Sequence, residues 1–129
     1  MAIQLEGIDH VEVFVRNLEQ AQRWYADVLG LQEVCRWNPE PIMIGVGGTK
    51  LALFLAKGSG PLTPGVRQAQ PPIRWHRVAF RTDAAGFTSA QEHLTTLGIK
   101  FRGPIDHRTA QSVYFEDPDG NPLEITYYL

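Results

Sequence analysis

One order of elements can be read twice along this chain of 129 residues, and that repetition constrains the fold more than any other feature. From Ile8 to Val15 the residues alternate. Val11, Val13 and Val15 share one face, and His10, Glu12, Phe14 and Arg16 share the other, as in a strand with one apolar side. Asn17 then stands as a helix N-cap with Gln20 three residues on. Leu18, Ala21, Trp24, Tyr25, Val28 and Leu29 form a helical stripe, closed by Gly30. Three strand-length runs follow: Leu31–Trp37, Ile42–Val46 and Lys50–Ala56, with Gly47-Gly48 as a hairpin turn before the last. The second pass opens with a strand over Ile73–Thr82 and Asp83 as N-cap. Phe87, Ala90, Leu94 and Leu97 make its helical stripe, ended by Gly98. Strands over Ile99–Ile105, Gln111–Glu116 and Pro122–Tyr128 complete it, with Asp117-Pro118-Asp119-Gly120 as a tight turn. The reading is an internal duplication of a βαβββ unit.

The segment between the copies, Lys57 to Pro72, holds three glycines and four prolines and reads as a connector that could also fold over as a lid. The expected organisation is a single α+β domain over residues 1–129, with module one at 1–56, the connector at 57–72 and module two at 73–129. Composition narrows the partners. With 43% hydrophobic and 20% charged residues and a formal net charge of −2, nothing favours nucleic acid or an anionic membrane surface. No apolar run approaches the roughly 20 residues of a membrane span. The start of the chain lacks the pattern of a secretory signal, and the lone Cys35 fits a reducing compartment, so the expected location is the cytoplasm.

If each helix covers the apolar face of its own sheet, the opposite faces form a curved mixed sheet around a shared cleft. The inward residues of the first copy would be His10, Glu12, Phe14, Glu33, Cys35, Trp37, Met43, Ala52 and Phe54. In the last strands they would be Ser112, Tyr114, Glu116, Glu124 and Thr126. Aromatic walls with a few convergent polar groups suit a small-molecule site. The residues expected to bind ligand are Phe14, Trp37, Phe54, Arg77 and Tyr114. His93 reads as a surface or half-buried residue of the second helix, and His107 as part of the polar turn Asp106-His107-Arg108-Thr109, from which it could reach the cleft mouth. Cys35 has no neighbour that would activate its thiol.

Several stretches resemble the vicinal-oxygen-chelate superfamily of glyoxalases, bleomycin-resistance proteins, fosfomycin-resistance transferases and extradiol dioxygenases. They are Gly7-Ile8-Asp9-His10-Val11, Asn17 to Leu31, Val78-Ala79-Phe80, and Tyr114 through Glu124. The resemblance implies the two-module fold, a homodimer, and a divalent metal held from the first and last strands of each copy. His10 and Glu124 match the first and final ligand positions. Ala52 stands where four-ligand members have Glu, which resembles the branches that use two His and one Glu.

The second histidine of that set would be His76, and two arguments oppose each other there. Counting seven residues back from each N-cap reaches His10 and His76. Alternation instead places His76 with Val78 and Phe80 under the helix and turns Arg77, Ala79 and Arg81 to the open face, because a shift of one residue reverses a strand side chain. Burying two arginines under the helix would cost several kcal/mol each unless they were paired. A β-bulge near Trp75 would return His76 to the open face. A divalent metal is therefore expected if His76 faces the cleft, and otherwise none. Two readings stay open: a binding protein for a small polar or anionic molecule, without a tightly bound metal, or a metal-dependent lyase, dioxygenase or thiol transferase using His10, His76 and Glu124.

Overall fold

A computed structural model describes Ala2, Gln4, Glu6, residues 8–56 and residues 77–129. His76, the connector at 57–72 and residues 73–76 of the expected fifth strand lie outside the described residues. The chain separates into two compact units, Met1–Lys57 and Gly58–Leu129. The first contains β1 (Val11–Val15), α1 (Leu18–Leu29), β2 (Gln32–Arg36), β3 (Ile42–Val46) and β4 (Thr49–Leu55). The second contains β5 (Val78–Arg81), α2 (Ala84–Thr96), β6 (Arg102–Asp106), β7 (Ala110–Glu116) and β8 (Pro122–Tyr128). Each unit is a βαβββ module forming one mixed four-stranded sheet, ordered β1-β4-β3-β2 in the first and β5-β8-β7-β6 in the second. The first and last strands of each module run parallel and the other neighbours antiparallel. Among the described residues no helix is long and apolar enough to cross a membrane.

Local chemistry explains where these elements begin and end. The Asn17 side chain accepts from the Gln20 amide at 2.9 Å, and Asp83 accepts from the Gly86 amide at 2.8 Å, so each helix opens on a satisfied donor. Gly30, at φ 73°, adopts the left-handed conformation that stops α1. In the first unit α1 lays Ala21 and Tyr25 over the sheet face carrying Val15, Ile42, Ile44, Leu51 and Leu53, all of them buried. In the second, Phe87 and Leu94 of α2 cover Val113, Phe115, Leu123 and Ile125, and the Phe87 ring meets Tyr127 at 4.8 Å between centroids. Removing a leucine or phenylalanine side chain from water in this way is worth about 1.5–3 kcal/mol.

Both modules also carry a bulge in the strand that follows the helix. In β2, Glu33 pairs with Ile44 and Cys35 with Met43, so Val34 is an extra residue. In β6, Arg102 pairs with Tyr114 and Ile105 with Ser112, again one residue too many on the first strand of the hairpin. The first bulge corrects one expectation. Glu33 does not share the open face with Cys35; it pairs with Ile44 on the helix-covered face and accepts from Gln22 of α1 at 3.0 Å. Strict alternation failed there because the inserted residue reverses side-chain direction partway along the strand.

Candidate functional site

The 117–120 turn sets the geometry of the second sheet's open face. Asp117 is buried, and its carboxylate accepts from the amides of Asp119 at 2.9 Å and Asn121 at 2.8 Å, and from the Asn121 side chain at 2.7 Å. This closed turn holds β7 against β8 in a register that sets Tyr114 opposite Glu124 and Ser112 opposite Thr126. The parallel pairing of β5 with β8 then sets Ala79 beside Glu124 and Arg81 beside Thr126. Val78 and Phe80, in register with Leu123 and Ile125, take the helix-covered face.

Arg77, directly before β5, follows the parity of Ala79. Its Nη1 lies 4.0 Å from Glu124 Oε1, and its Cζ lies 4.4 Å from the Tyr114 ring centroid. The Arg77 side chain is 24% exposed and that of Glu124 is 18% exposed, so the charges face each other in a partly dried environment. Arg77 Nε is buried without a hydrogen-bond partner. Leaving such a donor unsatisfied costs about 1–3 kcal/mol. The other Glu124 oxygen lies 2.7 Å from Ser112 Oγ, which is also 3.0 Å from the Thr126 hydroxyl. A hydroxyl has one proton and an ionised carboxylate can only accept, so the Ser112 proton goes to Glu124. Thr126 is then left to donate to Ser112 or to the Gln111 carbonyl at 3.2 Å.

Two contributors to this face were not among the expected ligand-binding residues. Arg102 brings its Cζ to 4.8 Å from the Tyr114 centroid, and His107 Nε2 lies 2.7 Å from the Tyr114 hydroxyl. Arg102 was illegible because counting back from the His107–Thr109 turn without a bulge pairs it with Phe115, on the helix-covered side. The available signal was Gly103-Pro104 inside a strand-length run, a combination that marks a bulge.

In the first unit, His10 stands between two carboxylates. Nδ1 is 2.8 Å from Asp9 and Nε2 is 3.0 Å from Glu12, while Lys50 reaches the other Asp9 oxygen at 3.1 Å. The Asp9 carboxylate first, then that of Glu12, hold the imidazole's proton affinity above its ordinary value. The same contacts, with His10 first and Lys50 next, pull Asp9 below the usual carboxylate range. Phe14 and Phe54 sit side by side across the β1–β4 pairing, with Phe14 64% exposed. Trp37 lies beyond the end of β2, 54% exposed, and its backbone N–H donates to the Pro41 carbonyl at 3.0 Å. Ala52 is fully buried.

The described part of the inherited ligand set does not fit a divalent ion as it stands. Both His10 nitrogens are engaged by carboxylates; one Glu124 oxygen is held by Ser112 and the other faces a guanidinium. A fixed cation beside a carboxylate opposes a second cation there. Among the described residues no group of three or more His, Cys, Asp or Glu side chains is arranged to hold a metal.

Comparisons with known proteins agree with the fold. A family model described as the Glyoxalase/Bleomycin resistance protein/Dioxygenase superfamily matches residues 7–125. Biphenyl-2,3-diol 1,2-dioxygenase 3 of Rhodococcus globerulus is 29% identical over 120 residues, which cover 90% of this chain and 60% of that protein. The chain thus spans about 60% of that relative's length. Fosfomycin resistance protein FosX of Mesorhizobium japonicum is 26% identical over 125 residues, covering 94% of this chain and 85% of that one. Among solved structures, a glyoxalase/dioxygenase from Nostoc punctiforme superposes with a TM-score of 0.76 at 25% identity, over 100% of this chain and 98% of that one. Lactoylglutathione lyase from Agrobacterium tumefaciens reaches 0.73 at 21% identity, over 95% of this chain and 94% of that one, a likeness of fold alone.

Proposed function

Since the chain belongs to the glyoxalase/bleomycin resistance protein/dioxygenase superfamily, we propose that it binds a small polar or anionic molecule on the open face of its second sheet, without a tightly bound metal at the inherited position. A shared fold leaves the chemistry open, so the reading rests on the side chains. The observation that carries it is Arg77: its guanidinium lies beside Glu124 and Tyr114, with Nε buried and lacking an acceptor. An oxygen of a bound molecule would accept from the part of this side chain that stays exposed, and a charge-assisted hydrogen bond formed there would be stronger than a neutral one. The Tyr114 ring adds an apolar surface for stacking. On the first unit, Phe14, Trp37 and Phe54 would offer apolar surface to a ligand.

A second reading is favoured by the relatives' names, two of which are dioxygenases of biphenyl-2,3-diol. In it, His10, His76 and Glu124 hold a divalent ion, which when bound would act as a Lewis acid toward ligand oxygens. Metal analysis of protein purified without chelator or a His tag separates the two. The expected result is substoichiometric metal in the parent, unchanged by His10→Ala or His76→Ala. Stoichiometric metal that both substitutions remove would establish the second reading instead.

A further inference from the structure

Arg77 and Glu124 are opposite charges that do not complete a direct contact. Nη1 stands 4.0 Å from Oε1, beyond the roughly 2.7–3.2 Å of an N–H···O hydrogen bond. Among the described residues neither of these two atoms has a hydrogen bond. The Ser112 hydroxyl goes to the other Glu124 oxygen, and the Arg77 guanidinium is held against the Tyr114 ring. Both ends are anchored. Tyr114 has its hydroxyl 2.7 Å from His107 Nε2, and Glu124 stands opposite Tyr114 in the β7–β8 register with Ser112 Oγ at 2.7 Å. Each side chain keeps part of its surface exposed, so the pair is not sealed from solution.

The chemistry of the two atoms decides what can bridge them. A guanidinium only donates and an ionised carboxylate only accepts. A bridging group must therefore accept from Nη1 and donate to Oε1. A hydroxyl does both through one oxygen, and a primary carboxamide does both through its neighbouring oxygen and nitrogen. Two hydrogen bonds of about 2.8 Å, bent at one bridging oxygen, span the 4.0 Å separation. An ionised carboxylate has no proton to give, and beside Oε1 it meets like charge. An ether accepts from Nη1 but gives Oε1 nothing.

We infer that Arg77 and Glu124 form a donor–acceptor subsite, which takes the hydroxyl or primary carboxamide of a neutral small molecule in preference to an anionic group. The residue at the inherited metal-ligand position thus serves as a hydrogen-bond acceptor for the ligand. The inference rests on the ligand-binding reading above and narrows it from polar or anionic molecules to neutral ones.

Calorimetric titration of the full chain, dialysed against chelator and then into plain buffer, tests it. The probes share one ring and differ in the polar group: benzyl alcohol, benzamide, benzyl methyl ether and benzoate. The alcohol or the amide is expected to bind at least tenfold more tightly than both the ether and benzoate, the scale of one well-made hydrogen bond to a charged group. Arg102 meets the same ring from β6 and is the competing attractor of anions, so the benzoate probe reads its pull. Arg77→Gln should weaken the favoured probe by roughly tenfold. Glu124→Gln removes the negative charge and should tighten benzoate while weakening the alcohol. The preference itself is read in the parent, so misfolding of either variant leaves the test intact. Benzoate bound as tightly as the alcohol and the amide, or the ether within twofold of them, overturns the subsite and leaves the broader ligand-binding reading standing. A metal-free parent that binds no probe overturns the subsite as well. Stoichiometric metal lost in His10→Ala overturns the metal-free reading instead, and the subsite with it, because Glu124 would then hold the ion.

Discussion

His10 shows at the scale of one residue how a resemblance and a local environment can diverge. The position matches a metal ligand, yet the ring nitrogens are taken up by Asp9, the residue before it, and by Glu12 of β1. These carboxylates favour the protonated imidazole, so its folded-state value lies above the ordinary 6.5. The sign of the linkage follows. A group raised on folding stabilises fully below its unfolded value and loses that stabilisation as pH rises through the folded value. The contribution of His10 is therefore complete below 6.5 and is lost as pH rises through the raised folded-state value. Glu12→Gln removes the carboxylate beside Nε2 and is expected to move the His10 titration midpoint, read from ring proton shifts, down toward 6.5. A midpoint unmoved by the substitution would show that Glu12 does not hold the ring. Arg77 is the opposite case. Its direction was disputed between cap counting and alternation, and the described geometry puts its guanidinium by Glu124, on the side alternation selects.

At the scale of elements, the two bulges decide which side chains reach the open faces. Gly103, at φ 112°, carries the second bulge, and a Cβ there would meet the Ser112 carbonyl oxygen at 2.7 Å. Gly98 also has a positive φ, 72°, but a Cβ there would meet open space. Gly98→Ala is thus expected to cost about 1–2 kcal/mol, the penalty for a left-handed alanine. Gly103→Ala should cost more, by about 1–3 kcal/mol, because backbone on β7 must also move. Urea denaturation of the two variants measures the difference. Equal losses would mean that the bulge yields without cost.

Across the whole molecule, the duplication extends from element order to detail: the same strand order, a side-chain cap at each helix start, and a bulge in the first strand after each helix. The layers under the helices match as well. Leu53 in the first sheet and Leu123 in the second are fully buried, each on the strand that pairs parallel with its module's first strand. Leu53→Ala and Leu123→Ala are each expected to lose about 2–5 kcal/mol by chemical denaturation, the range for emptying a packed leucine site. A loss below 1 kcal/mol at either would show a layer that collapses around the gap. The two modules, their helix boundaries and most strand faces were legible from residue order alone, because alternation, caps and turns act between near neighbours in the chain. The companions of Tyr114 were not. Arg77 and Arg102 approach it from strands on either side through pairings set by a buried turn and a bulge, and such pairings join segments whose separation along the chain carries no record of which residues will meet.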